Sequence, residues 1–149
     1  MNKKGDYMSD LKIAKEILEK ENLTLAIVKE GECFFKSKER GIKPLYIALM
    51  NHEEKLYGAS AADKIVGKGA ALLYVRGKIE NLFTKVISKS SLEVLENENI
   101  YIEKEKLVPY IKNRDQTGMC PIETMAEKDG NIDSLLIRIE SFLKNNNLI

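Results

Sequence analysis

The stretch Gly58–Arg76, GASAADKIVGKGAALLYVR, is the longest apolar run of the chain that reads as a single element. Its apolar side chains would cover almost the whole circumference of a helix, which is typical of a buried helix. Ser60 is a favourable N-cap residue, and Asp63 follows three residues later, a spacing that resembles a capping box. The sequence therefore predicts a buried central helix that begins at Ser60 and ends at Gly77.

Two lysines lie in the first half of this predicted helix. Lys64 and Lys68 are four residues apart, which places them on one helical face, where like charges repel. Both also lie near the positive end of the helix dipole, so a bound anion such as phosphate would relieve the repulsion. The alternative is that both ammonium groups simply reach solvent.

Two glycines interrupt the same predicted helix. Gly67 and Gly69 would each cost roughly 1 kcal/mol relative to alanine in a helix interior. Isolated glycines in a helix usually have a packing reason, so we expect close contact with the sheet or with another helix at this point. Close approach of a ligand is the alternative.

The composition is that of an ordinary globular protein. The chain has 149 residues, of which 44% are hydrophobic and 32% are charged, and this predicts a single domain over residues 1–149. Residues 1–8 and 145–149 are expected to be mobile tails. The net charge is +1, and lysine and glutamate alternate along the chain, so neither a nucleic acid nor a membrane is an expected partner.

Cysteine and histidine are scarce. The N-terminus shows no signal-peptide pattern, so we expect a cytoplasmic protein in which Cys33 and Cys120 are free thiols. The one histidine, His52, falls at the end of a predicted short helix. At such a position a histidine is more often a partner of the helix dipole or a solvent-exposed side chain than a ligand.

Helices and strands alternate along the chain. The predicted elements are a helix from Ser9, a hairpin of Leu23–Val28 and Cys33–Lys36, a helix over Leu45–Glu54, the central helix, a strand over Asn81–Ile87, a helix over Ser88–Asn97, a strand over Ile100–Glu103, and two helices that start near Pro121 and Asn131. The order α-β-β-α-α-β-α-β-loop-α-α predicts a three-layer α/β/α sandwich with a mixed sheet.

Four strings carry a resemblance to a known family. ERGIKPL, GASAADKIVGKGAALL, LVPYIKNRD and TGMCPIE resemble the domain-of-unknown-function 1893 family of prokaryotic proteins, over roughly residues 23–123. The resemblance implies a cytidine deaminase-like fold, in agreement with the element order. It implies no reaction, because the family has no assigned activity.

A zinc deaminase carries metal ligands at the starts of two helices in this fold. It has His or Cys, one residue and Glu at the first start, and Pro-Cys-x-x-Cys at the second. Here the predicted central helix starts with Ser60–Asp63 (SAAD) and the next helix with Ser88–Ser91 (SKSS). Neutral serine hydroxyls are poor zinc ligands. We therefore expect neither a metal nor another cofactor, and not a zinc-dependent cytidine deaminase.

The same fold implies a cleft where the two helix starts meet at one edge of the sheet. Residues expected to line it are Ser60, Asp63, Lys64, Ser88, Ser90 and Ser91, together with the loop Asn113–Glu123. Two helix N-termini with lysines and hydroxyls predict a phosphate or carboxylate site. For Ser60 alone, capping the helix is the better-supported role.

The loop before the last two helices adds three candidate residues. Arg114 and Asp115 either form an ion pair that orders the loop or clamp a ligand carboxylate or phosphate. Cys120 is a candidate nucleophile if Arg114 or a helix N-terminus activates it. A buried or unreactive thiol is the more common situation.

Three functions are compatible with these residues. The first is a metal-free protein that binds a small anionic or nucleotide-like ligand through Ser60, Asp63, Lys64, Lys68, Ser88, Ser91, Arg114, Asp115 and Cys120. The second is a metal-independent enzyme that uses Asp63, Lys64 or Cys120, and the third is a non-catalytic interaction module that acts as a homo-oligomer. The sequence does not identify catalytic residues.

Overall fold

A computed structural model describes residues 3–149, with side chains from residue 9 onward. Its elements are α1 Lys3–Lys20, β1 Leu25–Lys29, β2 Glu32–Ser37, α2 Lys43–Asn51, α3 Glu53–Leu56, β3 Ser60–Val66, α4 Lys68–Gly77, β4 Asn81–Ser88, α5 Lys89–Asn97, β5 Tyr101–Val108, α6 Pro121–Lys128 and α7 Ile132–Asn145. Of the predicted N-terminal tail, residues 1 and 2 lie outside the described residues. The mobility of both tails stays a prediction.

The five strands form one mixed sheet in the order β2-β1-β3-β4-β5. β1 pairs antiparallel with β2 and β3, and β3, β4 and β5 run parallel. Helix α1 packs on one face, in a cluster with β1, β3 and β4. Side chains of the other six helices belong to the core cluster on the opposite face. The predicted three-layer α/β/α sandwich with a mixed sheet is confirmed.

The central apolar stretch contains a strand and a helix, so the prediction of one helix from Ser60 is wrong. Ser60–Val66 is the central strand β3, and α4 begins at Lys68. Ala61 packs in the cluster on the α4 face, whereas Ala62 packs in the cluster on the α1 face. A strand buried on both faces gives a continuous apolar run, which periodicity cannot distinguish from a buried helix.

Two further expectations fail with that helix. The capping box of Ser60 and Asp63 does not exist, because both residues lie in an extended strand. Lys64 and Lys68 do not share a helical face, since Lys64 is in β3 and Lys68 is the first residue of α4. The predicted repulsion between two lysines four residues apart on one helix therefore does not arise.

Other boundaries follow the predicted order with local differences. α1 begins at Lys3 rather than Ser9, and β5 continues to Val108. The helix expected over Leu45–Glu54 is divided at His52, which ends α2 and precedes α3. The His52 ring packs against the rings of Phe34 and Phe35, with centroid distances of 6.1 and 5.9 Å, respectively.

The parallel strands β3 and β4 end at the same edge of the sheet, and a helix follows each of them directly. Gly67 is the N-cap residue of α4, with extended backbone (φ −96°, ψ 179°). Ser88 is the N-cap residue of α5 and accepts a hydrogen bond from the Ser91 amide. Two helix N-termini thus meet at this edge, as predicted, but the first of them starts after Gly67 instead of at Ser60.

Within the described residues, no helix is both long enough and apolar enough to cross a membrane.

Candidate functional site

A buried carboxylate lies between the N-termini of α4 and α5. It belongs to Glu123 of α6, which is 1% exposed. Its Oε1 accepts a hydrogen bond from the Lys68 amide at 2.8 Å and lies 3.4 Å from the Ser88 hydroxyl, which can donate to it. Its Oε2 accepts from the Ile111 amide at 3.0 Å. Glu123 therefore uses donors from both helix starts and from the segment after β5.

Main-chain donors, rather than a basic side chain, hold this carboxylate. The Lys68 ammonium lies 3.8 Å from Oε2 of Glu127, and no ion pair found among the described residues includes Glu123. A helix N-terminus carries roughly half a positive charge. Two of them, together with three hydrogen-bond donors, are suited to one negative charge.

Two glycines make room for α6 at this place. A Cβ atom on Gly67 would lie 2.7 Å from Oε2 of Glu123, and one on Gly69 would lie 2.5 Å from Cγ2 of Ile122. Both distances are too short for a Cβ atom to be added unless the Glu123 or Ile122 side chain shifts. The close packing predicted for the two glycines is confirmed, and the element packed against them is α6.

Two buried serines connect the start of α5 to Glu123. The hydroxyls of Ser88 and Ser91 lie 2.5 Å apart, and both side chains are fully buried. If Ser88 donates to Glu123, Ser91 is left to donate to Ser88, so one direction of hydrogen bonding satisfies both hydroxyls. Ser88 and Ser90 are both favourable capping residues by sequence, and Ser88 is the one that caps α5.

Asp63 lies elsewhere, in the middle of β3, where it faces α4. The Tyr74 hydroxyl donates to its Oδ2 at 2.5 Å, and the Ile65 amide donates to its Oδ1 at 3.3 Å. Burial raises the pKa of Asp63 to about 7, against the lowering effect of these two hydrogen bonds. Burial and the neighbouring Asp63 raise the pKa of Tyr74 well above its usual value. Asp63 can therefore take both protonation states near neutral pH.

The other predicted site residues are dispersed. Ser60 is buried at the opposite end of β3, where its hydroxyl accepts from the Asn81 side chain at 3.1 Å, so its placement in the cleft is wrong. Lys64 is exposed on β3, and Arg114 and Asp115 are exposed in the loop. No ion pair found among the described residues joins Arg114 to Asp115.

The structure brings part of the predicted set together around Glu123. Lys68, Ser88 and Ser91 surround the carboxylate, and the half-exposed Cys120 is the N-cap residue of the helix that carries it. Ser90 is partly buried in the first turn of α5. Ligand binding by the predicted residues stays a prediction.

Glu123 itself was expected only as the last residue of a loop. A glutamate in the first turn of a helix normally interacts with the N-terminus of its own helix. The signal that pointed to a close neighbour was the glycine pair at Gly67 and Gly69, but it does not identify the segment that approaches.

The corrected helix starts do not fit the ligand set of a zinc deaminase. Gly67–Gly69 (GKG) and Ser88–Ser91 (SKSS) offer neither an imidazole nor a thiol. In the part of the chain that the structure describes, no three His, Cys, Asp or Glu side chains are grouped so that they could hold a metal ion. Both oxygens of Glu123 already accept hydrogen bonds from amides, and a cation bound to this carboxylate would have to replace those hydrogen bonds.

Comparison with known proteins gives one family. The family model described as "Domain of unknown function (DUF1893)" matches residues 13–143. The crystal structure of a DUF1893 family protein from Thermotoga maritima is 28% identical, with 89% of each chain covered and a TM-score of 0.82. RibD from Acinetobacter baumannii is 18% identical over 70% of this chain and 36% of that chain, with a TM-score of 0.45. No curated protein gives a significant match.

Proposed function

The chain belongs to the domain-of-unknown-function family DUF1893, and we propose that it binds a small anionic ligand where α4 and α5 begin. The observation that carries the proposal is the Glu123 carboxylate, a buried negative group held by two amides and a serine hydroxyl. Such donors favour anionic oxygen over neutral or cationic groups. In this proposal Glu123 occupies the position that the carboxylate or phosphate of a ligand would take.

Basic side chains near this edge support an anionic ligand. Lys64 near the end of β3 and Lys89 at the start of α5 are exposed, and Lys68 is partly exposed at the start of α4. Clustered positive charge raises the local concentration of anions and speeds their arrival. Metabolites with a carboxylate or phosphate, nucleotide-like ones included, are the ligand class that we propose.

Removal of the carboxylate tests the proposal. Glu123→Ala leaves the donors of Lys68, Ile111 and Ser88 without their acceptor, and each buried unsatisfied donor costs roughly 1–3 kcal/mol. We expect a lower Tm for this variant, and recovery of part of the loss when acetate, formate or phosphate is added at constant ionic strength. An anion at about 100 times its Kd should restore about 2.7 kcal/mol.

The matched control is Glu127→Ala, which removes a carboxylate from the same helix. Glu127 is partly exposed and interacts with the Lys68 ammonium at 3.8 Å instead of the main-chain donors. We expect a small change in its Tm and no rescue by acetate. Equal responses of the two variants to every anion would refute the proposed site.

A second candidate function, metal-independent acid–base catalysis, is favoured by one observation. The pKa of Asp63 is about 7, near the value at which a general acid or base is most effective at neutral pH. We expect any turnover found in a metabolite screen to be lost in Asp63→Asn while anion binding is retained. Equal turnover in the wild type and in this variant would exclude Asp63 as the acid or base.

A cytoplasmic location, a homo-oligomer, and the lack of a nucleic-acid partner or cofactor stay predictions.

A further inference from the structure

The sheet is irregular near the ends of β3 and β4. Ala61 and Val66 both pack in the cluster on the α4 face, although they are five residues apart, and a regular strand does not place residues at an odd spacing on one face. Leu82 and Ile87 of β4 show the same spacing in the same cluster. The two strands nevertheless keep one register before and after this level. Both strands therefore change the faces of their side chains together, close to where α4 and α5 begin.

Two polar side chains bond to the main chain at this level. The Thr84 hydroxyl donates to the Val86 carbonyl at 2.9 Å, and Oδ1 of Asp63 accepts from the Ile65 amide at 3.3 Å. Asp63 and Thr84 are paired across the two strands. A side chain that bonds to the main chain two residues later competes with the regular ladder. One oxygen of Asp63 thus holds the irregular end of β3, residues 63–66.

The other oxygen of Asp63 accepts from the Tyr74 hydroxyl. Tyr74 is completely buried, and among the described residues Asp63 is the one acceptor found for this hydroxyl. Ionised Asp63 satisfies both donors. A proton on Oδ2 would be donated to the Tyr74 oxygen and would leave the Tyr74 proton without an acceptor, which is costly in a buried site. A proton on Oδ1 avoids this cost, but Oδ1 then becomes a donor and a much weaker acceptor for the Ile65 amide.

No charged side chain faces Asp63 from the elements that pack against it. It is paired with Leu25 of β1 and Thr84 of β4, and Tyr74 faces it from α4. The next residue, Lys64, is exposed, and no ion pair found within the described residues includes Asp63. Burial raises the pKa of Asp63 to about 7, so its protonation falls near neutral pH.

We propose that the irregular end of β3 is a proton-sensitive switch, in which a proton on Oδ1 of Asp63 releases the Ile65 amide. The proton comes from solvent, with which Asp63 keeps partial contact. One O–H bond forms at Oδ1, and the hydrogen bond from the Ile65 amide is lost. Gly67, the N-cap residue of α4, follows two residues later, so the change reaches the start of that helix. Because no ligand takes part, the switch is independent of the anion site proposed above.

An NMR titration of the wild type between pH 4 and pH 8 tests the switch. The resonances of the Asp63 carboxyl carbon and the Ile65 amide should change together, with one midpoint near pH 7. Hydrogen exchange of the Ile65 amide, corrected for its intrinsic rate, is the second measurement. Its protection should fall about tenfold from the ionised to the protonated form, as expected for the loss of one hydrogen bond.

The variant Asp63→Asn keeps the protonated arrangement at every pH. Its side-chain oxygen can accept from Tyr74, whereas its NH₂ group cannot accept from Ile65. We expect the low protection of the Ile65 amide at both pH 4 and pH 8. Asp10→Asn is the matched control, since it makes the same change at another buried carboxylate that accepts from two amides. It should leave the titration of Ile65 unchanged.

Three results would overturn the switch. The first is an Ile65 amide that keeps its protection while the Asp63 carboxyl titrates, because the proton would then lie on Oδ2. The second is an Asp63 carboxyl that stays ionised down to pH 4. The third is loss of the Ile65 titration in Asp10→Asn, which would assign the change to the other carboxylate. The measurements on the wild type decide the matter even if Asp63→Asn fails to fold.

Discussion

Replacement of Asp63 by asparagine should stabilise the protein at pH 8 and have little effect near pH 4. The Asp63 carboxyl has a pKa of about 7 in the folded protein, against an ordinary value of 3.8. A raised pKa in the folded state means that the protonated form is the one that folding favours. The stability that the protonated Asp63 side chain contributes is then fully present below about pH 3.8 and is lost as the pH rises through about 7. Asparagine does not ionise, so the variant should keep this stability at high pH.

The size of the effect follows from the pKa difference. The rise from 3.8 to about 7 is close to three pKa units, each of which corresponds to about 1.4 kcal/mol. A completely buried carboxyl would therefore account for on the order of 4 kcal/mol. Asp63 keeps partial contact with solvent. Because solvent screens the ionised form, we expect a gain on the order of 2 kcal/mol for the variant at pH 8.

Urea unfolding between pH 4 and pH 8 measures this gain. The quantity to plot is the free energy of unfolding of Asp63→Asn minus that of the wild type, since the titration of other carboxyls cancels in the difference. Tyr74→Phe is the control of opposite sign, because it removes the hydroxyl that stabilises the Asp63 carboxylate at 2.5 Å. A difference that stays constant within about 0.5 kcal/mol from pH 4 to pH 8 would refute the reasoning.

Three other predictions concern packing, capping and the sheet edge. Gly69→Ala should lower the free energy of unfolding by about 1–3 kcal/mol, because its Cβ would lie 2.5 Å from Ile122. In a double-mutant cycle, Gly69→Ala should cost less when Ile122→Ala is also present, and additive losses of stability would contradict the clash. Ser88→Ala should cost about 1–2 kcal/mol in urea unfolding through loss of the α5 cap and the contact with Glu123, and no loss would contradict the role of that hydroxyl. Lys104 and Lys106 are exposed on edge strand β5, where lysine disfavours pairing with a second copy. Lys104→Thr with Lys106→Thr should therefore increase self-association in sedimentation experiments, and an unchanged distribution would exclude this protective role.

The sequence predicted the layers of this fold but not its central strand. Apart from the division of α2 and α3 at His52, the elements around Ser60–Val66 were predicted in order, because amphipathic helices show a clear period and turn residues mark the hairpin. β3 shows none, since Ala61 and Ala62 are buried on opposite faces of the sheet and alanine is also a good helix former. Gly67 was the boundary between strand and helix, and it was interpreted as an interruption within a helix instead.

The candidate site was predicted in part for a related reason. Helix starts can be identified from local sequence, and this predicted that two of them meet at one edge of the sheet, although Ser60 lies at the other end of β3. The occupant cannot be identified in this way, because Glu123 lies 55 residues from Lys68 and 35 residues from Ser88 along the chain. The packing of α6 against Gly67 and Gly69 brings the carboxylate next to these two helix starts.

The neutral first turns of α4 and α5 and the buried carboxylate of Glu123 have one electrostatic explanation. Neither first turn carries an acidic side chain, and the hydroxyls of Ser88 and Ser91 are neutral, so nothing in these two turns offsets the positive helix ends. The Glu123 carboxylate of α6 supplies the negative charge. It follows that removal of Glu123 should leave a site that attracts anions rather than cations, so that acetate, and not zinc, restores the stability of Glu123→Ala.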